Sequence, residues 1–206
     1  MLLMNTVLAL KFYNLQKNRA MLTINFHPFQ IIETERLLLR RTDENDVDEV
    51  LALRGNPQIM KYIPRPLAKT REEALEHIAM IEDKIINNTG INWGITIKGT
   101  AKIIGIIGHY RIQPENYRSE IGYMVLPEHS GKGYTTEAIK AVVAYGFEQM
   151  ILHSIEAVID PQNLASERVL QKNGFVKEAH LLENEFWDGK FWDTAIYSIL
   201  KRNFKP

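Results

Sequence analysis

The chain has 206 residues, 25 basic and 25 acidic side chains interspersed along it, and no cysteine. A chain of that length buries about 70% of its unfolded surface in one compact domain and requires no staples. The missing cysteine excludes disulfides, thiolate metal sites and a cysteine nucleophile, and fits a reducing, cytoplasmic setting, while the balanced charge argues against nucleic-acid binding through bulk electrostatics.

Leu2 to Leu10 is apolar, but no Lys or Arg precedes it and it is too short to span a bilayer, which argues against a signal peptide. Residues 1–30 read as an N-terminal extension, with Met21 as an alternative start; the other reading is a short helix with Leu3, Val7 and Leu10 on one face. Residues 31–204 read as a single α+β domain, without repeat, linker or low-complexity tract. Ile31 to Arg40 reads as a first strand, and Thr42-Asp43-Glu44-Asn45 starts a helix whose apolar face is Val47, Val50, Leu51 and Leu53. Pro57, Pro64 and Pro66 break the chain into short pieces. Thr70 with Glu73 then forms a capping box, and Ala74, Ile78, Ile81 and Ile85 continue that helix.

Next the period changes to that of strands. Ile91 to Ile97, Ile103 to Ile112 and Arg118 to Leu126 are separated by turns at Lys98-Gly99 and Gln113 to Asn116, which predicts an antiparallel meander. Ala138, Ile139, Val142, Val143, Phe147 and Met150 mark one face of a helix, Ile155 to Asp160 a strand, and Asn163 to Asn173 a further helix. Gly174 fits the left-handed position after that helix, with Phe175 folding back. Asp188-Gly189 between two terminal strands is a hairpin turn.

The most informative segment runs from Ser119 to Ala138: a strand, a glycine-containing loop, then the first turn of a helix. Such a loop leaves backbone N–H groups pointing together at the positive end of the helix dipole, a site for phosphate or pyrophosphate. Gly131 stands directly beside Lys132, so Ser130-Gly131-Lys132-Gly133-Tyr134-Thr135 is not a nucleotide P-loop, and it lacks the three spaced glycines of a dinucleotide site. The six histidines form no metal-ligand spacing, so no metal is expected. His109 is an alternative base, although a lone strand histidine is more often structural. Trp93, Trp187 and Trp192 suit either a core or an acceptor pocket.

In context, the segment resembles motif A of the GCN5-related N-acetyltransferases (GNAT), in which a strand leads into Gln/Arg-x-x-Gly-x-Gly/Ala and a helix. Ser130 stands at the Gln/Arg position, Gly133 at the central glycine and Thr135 at the final Gly/Ala, so two of the three positions depart from the pattern. Glu120-Ile121-Gly122-Tyr123, Pro127, Gly131 to Tyr134 and Thr136-Glu137-Ala138 look like the RimJ/RimL-like branch that acetylates ribosomal-protein N-termini. Glu35 to Arg40 and Asn173-Gly174-Phe175 add to that likeness, which covers roughly residues 31 to 202.

The resemblance implies a mixed, mostly antiparallel sheet flanked by helices and splayed at the strand before the loop, with acetyl-CoA in the opening. Its pyrophosphate would lie on Gly131, Lys132, Gly133, Tyr134, Thr135 and Thr136, and its pantetheine along the backbone of Met124, Val125 and Leu126. A strand N–H near Met124 would hold the oxyanion. Glu120 would be the general base, with room for a ligand beside Gly122. The family's usual tyrosine acid is replaced by Leu170, and the donor role passes to Ser166. Asn163 looks like the asparagine that contacts the pantetheine arm and also reads as an N-cap. The implied activity is direct acetyl transfer to a primary amine, either a ribosomal-protein N-terminus or a small amine such as a polyamine, aminoglycoside or amino acid. The rival readings are a non-catalytic acyl-CoA-binding module and, remotely, a nucleotide phosphotransferase. The expected state is a monomer or homodimer, with no membrane and no nucleic-acid partner.

Overall fold

The structure, a computed structural model, describes residues 21–205. The apolar segment Leu2 to Leu10 therefore lies outside the described residues. Residues 21–30 pack on the domain: Phe26 is buried, its N–H donates to Asn88 Oδ1 at 2.7 Å, and the Gln30 carbonyl accepts from Trp93 Nε1 at 2.8 Å.

The strands are β1 (Ile32–Glu33), β2 (Leu37–Arg40), β3 (Ile91–Ile97), β4 (Ile103–Gln113), β5 (Arg118–Val125), β6 (Ser154–Ile159), β7 (Val176–Trp187) and β8 (Lys190–Leu200). Among the described residues they form one eight-stranded sheet, ordered β1-β2-β3-β4-β5-β6-β8-β7. Every pairing is antiparallel except β5 with β6. Helices α1 (Val47–Arg54), α2 (Pro57–Met60) and α3 (Arg71–Ile86) belong to one side. Helices α4 (Tyr134–Glu148) and α5 (Leu164–Lys172) belong to the other. The two sides are told apart at consecutive β4 residues. His109 bonds to the Val142 carbonyl of α4, while the Tyr110 ring lies under Lys84 of α3. Period-2 alternation carries that division along the sheet.

The meander and the helices follow the apolar spacing. Ile91, Trp93, Ile95, Ile106 and Ile107 are buried, as are Ala74, Ile78, Ile81 and Ile85 along α3 and Ala138, Ile139, Val142, Val143 and Phe147 along α4. Ile31 to Arg40, in contrast, is a hairpin rather than one strand. The Thr34 N–H donates to the Leu37 carbonyl and the Leu37 N–H to Thr34 Oγ1, so a threonine side chain makes the turn that no Gly or Pro announces. At α3, Thr70 caps the Glu73 N–H, but Glu73 reaches back to the N–H of Lys69 instead of Thr70. No helix among the described residues is long and apolar enough to cross a membrane.

The functional consequence of the topology is a split. The parallel ladder of β5 and β6 runs only from Arg118–Ser154 to Glu120–Glu156. Beyond it β5 stays with β4 as far as Val125, and β6 stays with β8 as far as Ile159. The closed end is pinned by Arg118, whose guanidinium donates twice to Glu156 Oε2 at 2.6 and 3.1 Å, and by the N–H groups of His153 and Ser154, which share the Tyr117 carbonyl.

At its C-terminus α5 closes in a full Schellman arrangement. The Phe175 N–H donates to Leu170 and the Gly174 N–H to Gln171, with Gly174 at φ +82° and Phe175 buried. A Cβ on Gly174 would meet only Ile199 Cδ1 at 3.5 Å, an ordinary contact. Gly174→Ala should therefore cost about 1 kcal/mol through backbone strain alone, read as a lower urea midpoint with unchanged slope; an unchanged midpoint refutes it.

Candidate active site

The glycine loop sits at the open end of the split. A short turn, Pro127–His129, follows β5, and the Ser130 N–H is committed to the Pro127 carbonyl at 3.0 Å. From Gly131 onward the backbone changes hand: Gly131 has φ +74° and Gly133 φ +81°, values that favour glycine. Gly133 is the N-cap of α4 and no side chain caps the helix. The first backbone bond into the loop is the Glu137 N–H to the Gly133 carbonyl, which leaves the N–H groups of Tyr134, Thr135 and Thr136 without a helical partner. These free donors at the positive end of a helix suit an anion.

The loop is held from outside by a carboxylate. Glu137 accepts from Thr34 Oγ1 at 2.6 Å, from the Arg36 N–H at 2.8 Å and from Arg36 Nε at 2.7 Å. The same guanidinium donates to the Lys132 carbonyl at 3.0 Å and lies 4.8 Å from the Tyr134 ring centroid. Burial works to raise the Glu137 carboxyl, but the Thr34 hydroxyl and the two Arg36 donors together hold it below the usual carboxylate range. Sequence reasoning counted Arg36 and Glu137 only as part of a likeness. The threonine turn is what brings them together.

On β5 the registers Tyr110↔Glu120 and His109↔Ile121 place Glu120, Gly122 and Met124 toward α1 and α3, and Ser119, Ile121 and Tyr123 toward α4 and α5. Glu120 Oε2 accepts from Arg111 Nη1 at 2.9 Å, and Oε1 has no hydrogen bond among the described residues. Arg111 reaches it because the β4–β5 register shifts after Tyr110 and Arg111 takes φ +42°. Burial pushes the Glu120 carboxyl above the usual range and Glu156 adds to the rise, while Arg111 opposes it. Gly122 has the Tyr110 ring beside it, where a Cβ would stand 2.9 Å from Cε2. The space expected there for a ligand therefore holds a side chain.

The backbone edge also needs a correction. The Leu126 N–H donates to the Ile104 carbonyl, and the Met124 carbonyl points at Gly105, so both residues turn their backbone toward β4. The edge facing the split is that of Tyr123 and Val125. Of Met124, Val125 and Leu126, expected along a pantetheine arm, only Val125 turns its backbone toward the split, and Met124, expected near the oxyanion, turns its own toward β4.

Across the split, Asn163 caps α5 by accepting from the Ser166 N–H at 3.1 Å. Ser166 Oγ lies 2.6 Å from the Tyr123 hydroxyl, whose pKa burial pushes up to about 12, so that phenol stays protonated. Tyr123 escaped sequence reasoning because the pair spans 43 positions. Leu170 is fully buried. His109 is not a base. It faces α4, Nδ1 lies 2.8 Å from Ser119 Oγ and Nε2 lies 3.0 Å from the Val142 carbonyl, and burial lowers its pKa to about 4. Trp93 is core, against Phe29 and Tyr145. Trp192 lines a cleft of about 460 Å³ with Lys61, Tyr62, Asp160 and Asp193, beside the start of α5.

Residues 36–176 match the acetyltransferase (GNAT) domain family. The chain belongs to that family. This GNAT protein is 36% identical to the N-acetyltransferase YoaA of Bacillus subtilis (strain 168), itself uncharacterized, over 84% of this chain and 98% of YoaA. A GNAT-family acetyltransferase of Bacillus anthracis is 29% identical with a TM-score of 0.75, over 84% of this chain and 99% of that one. Two coenzyme A complexes are also similar. Spermidine N-acetyltransferase of Vibrio cholerae, bound to CoA and spermine, is 25% identical with a TM-score of 0.73, over 82% and 98% of the two chains. The ribosomal L7/L12 acetyltransferase RimL, at 20% identity and a TM-score of 0.76 over 83% and 98%, shares the fold. The GNAT sheet, with its split before the glycine loop and flanking helices, is the one expected, and the protein is an N-acetyltransferase.

The Glu137 hub has a pH signature. A carboxyl held below its unfolded value contributes stability that is complete above about pH 4.3 and is lost as the pH falls through the folded value. The difference in thermal midpoint between wild type and Glu137→Gln should therefore be largest at pH 6–7 and shrink toward pH 3. A difference constant with pH would show that the hub does not act through its charge.

Proposed function

We propose that this enzyme transfers acetyl from acetyl-CoA directly to a primary amine at a protein or peptide N-terminus, with Glu120 accepting the amine proton and Ser166 assisting the departing thiolate. The observation that carries the reading is the division of polar groups about the split: Glu120 on the α1/α3 side, the Tyr123–Ser166 pair on the α4/α5 side. The amine attacks the acyl carbon from one side and the thiolate departs from another, so a base and a donor are needed on different sides of it.

The donor molecule fits the residues present. The N–H groups of Tyr134, Thr135 and Thr136, with Gly131 and Gly133 adding no side chain, suit the pyrophosphate, and Lys132 adds nearby charge. Val125 and Tyr123 offer backbone groups to an extended chain, and Asn163 stands at the same opening. The amine gives its proton to Glu120 Oε1, directly or through a water, and attacks the thioester carbonyl. Charge growing on the carbonyl oxygen meets a strand N–H of Tyr123 or Val125. The tetrahedral intermediate then collapses, the C–S bond breaks and the thiolate leaves; with Tyr123, kept protonated, as donor to Ser166 Oγ, the serine hydrogen is free to stabilise the departing sulfur.

Glu120→Gln should lower kcat by about a hundredfold at neutral pH, with the deficit shrinking as alkaline pH deprotonates the amine. Because the Glu120 pKa is raised, wild-type turnover should fall on the acid side at a higher pH than an ordinary carboxylate gives. Turnover unchanged across pH removes Glu120 from the role, and tight coenzyme A binding without acceptor-dependent thiol release supports the non-catalytic module instead. Gly133→Val forces a branched side chain into φ +81°, with its Cβ 3.2 Å from Arg36 Nη2. It should weaken coenzyme A binding at least about tenfold in calorimetry. Wild-type affinity would end the assignment of the loop to the pyrophosphate.

A further inference from the structure

The α1/α3 side of the sheet, where Glu120 projects, carries a guanidinium, that of Arg54, with no carboxylate partner among the described residues. Arg54, in the last turn of α1, is half-buried, and among the described residues its guanidinium donates only to Met60 Sδ at 3.3 Å and the Pro66 carbonyl at 3.4 Å. The thioether is a weak acceptor and the carbonyl is a distant one, and neither carries a charge, while a guanidinium has five N–H donors. The carbonyl end of α1 compensates it only partly. Arg65 lowers the Arg54 pKa further, after burial, and no carboxylate offsets either effect. His77 of α3 is held neutral by burial, its pKa lowered to about 4, with Arg54, Lys84 and Arg65 all bearing on it. Several acids of α1 and α3 have other partners: Asp48 pairs with Arg71, Glu49 with Lys102, Glu82 with Arg41, and Glu73 caps the Lys69 N–H, and no carboxylate of either helix bears on Arg54.

This cluster adjoins Glu120 through Tyr110. The Tyr110 ring stands in register with Glu120 and against Gly122, Lys84 Nζ lies 5.7 Å from its centroid, and both Arg54 and Glu120 act on its hydroxyl. Glu120 itself is already balanced by Arg111 and exerts no resolved effect on Arg54. A half-buried guanidinium with N–H donors to spare matches a carboxylate, which guanidinium groups bind in two-pronged fashion.

We propose that Arg54, supported by Arg65, forms a carboxylate-binding subsite on the acceptor side of the cleft, so that the amine acetylated belongs to a molecule bearing an acidic group close to that amine. This rests on the acetyl-transfer reading of the site and narrows its substrate class. An acidic side chain near a peptide N-terminus and the α-carboxylate of a free amino acid offer the same chemistry. A polyamine meets repulsion.

The test compares four acceptors by thiol release from acetyl-CoA: a peptide with Asp and Glu at its second and third positions, the same peptide with Asn and Gln, free glutamate, and spermidine. The acidic peptide should show a KM about tenfold below its amide analogue. Arg54→Gln should abolish that difference, Arg54→Lys should retain part of it, and both variants should bind coenzyme A normally as a check on folding. Turnover of glutamate above the acidic peptide would name a free amino acid as the source of the carboxylate. Equal KM values for the acidic and amide peptides, a difference that survives Arg54→Gln, or preference for spermidine would overturn the subsite. Calorimetry of the acidic peptide on the coenzyme A complex separates the two readings. Arg54-dependent binding without any acetyl transfer would sink the transferase reading and keep the subsite, and transfer without Arg54-dependent binding would do the reverse.

Discussion

Everything at the site depends on a parallel ladder that stops after three residue pairs. β5 is bonded along its other edge to β4 and β6 along its other edge to β8, and the two neighbours lead them apart. A sheet that stayed closed would satisfy the backbone of Tyr123 and Val125 internally. Because it opens, those groups are available to a ligand in the manner of a strand edge. The Arg118–Glu156 pair and the shared Tyr117 carbonyl hold the closed end, so the opening has a fixed origin.

Such an opening needs a loop that keeps its shape. Two glycines at positive φ give the backbone its course but no rigidity of their own. Rigidity comes from Glu137, one turn into α4, which ties the helix to the Thr34 turn, and from Arg36, which ties that turn to the Lys132 carbonyl. The carboxylate also lies in the first turn of the helix, where it is favoured by the dipole. One residue thus serves both the helix start and the attachment of the first hairpin to the loop.

Much of this was legible in the sequence because it is local. The meander, α3, α4, the Schellman end of α5 and the Asp188-Gly189 turn each rest on spacing or turn chemistry within a few residues. What was not legible is of two kinds. The first is contact across the chain: Arg36 with Glu137 is 101 positions apart and Tyr123 with Ser166 is 43, and no periodicity encodes such pairs. The second is phase. That Met124 and Leu126 face β4 while Val125 faces the split follows from the β4 register, which a single strand's sequence does not contain. The Thr34 turn belongs to neither kind; its signal was local but weak, a hydroxyl doing the work usually given to Gly or Asn.

The arrangement of charge on the α1/α3 side completes the argument. Two arginines lie near Tyr110 under opposite conditions. Arg111 has Glu120, which it reaches where the β4–β5 register shifts. Arg54 has a thioether and a distant carbonyl, while Asp48 and Glu49 of its own helix pair with other cations. A protein surface relaxes toward compensation wherever long side chains can reach, and burying an uncompensated guanidinium is costly. An imbalance beside a candidate base therefore has a chemical meaning. The counter-charge is to arrive with the acceptor, and its binding orients the amine toward Glu120 instead of leaving that task to the carboxylate itself.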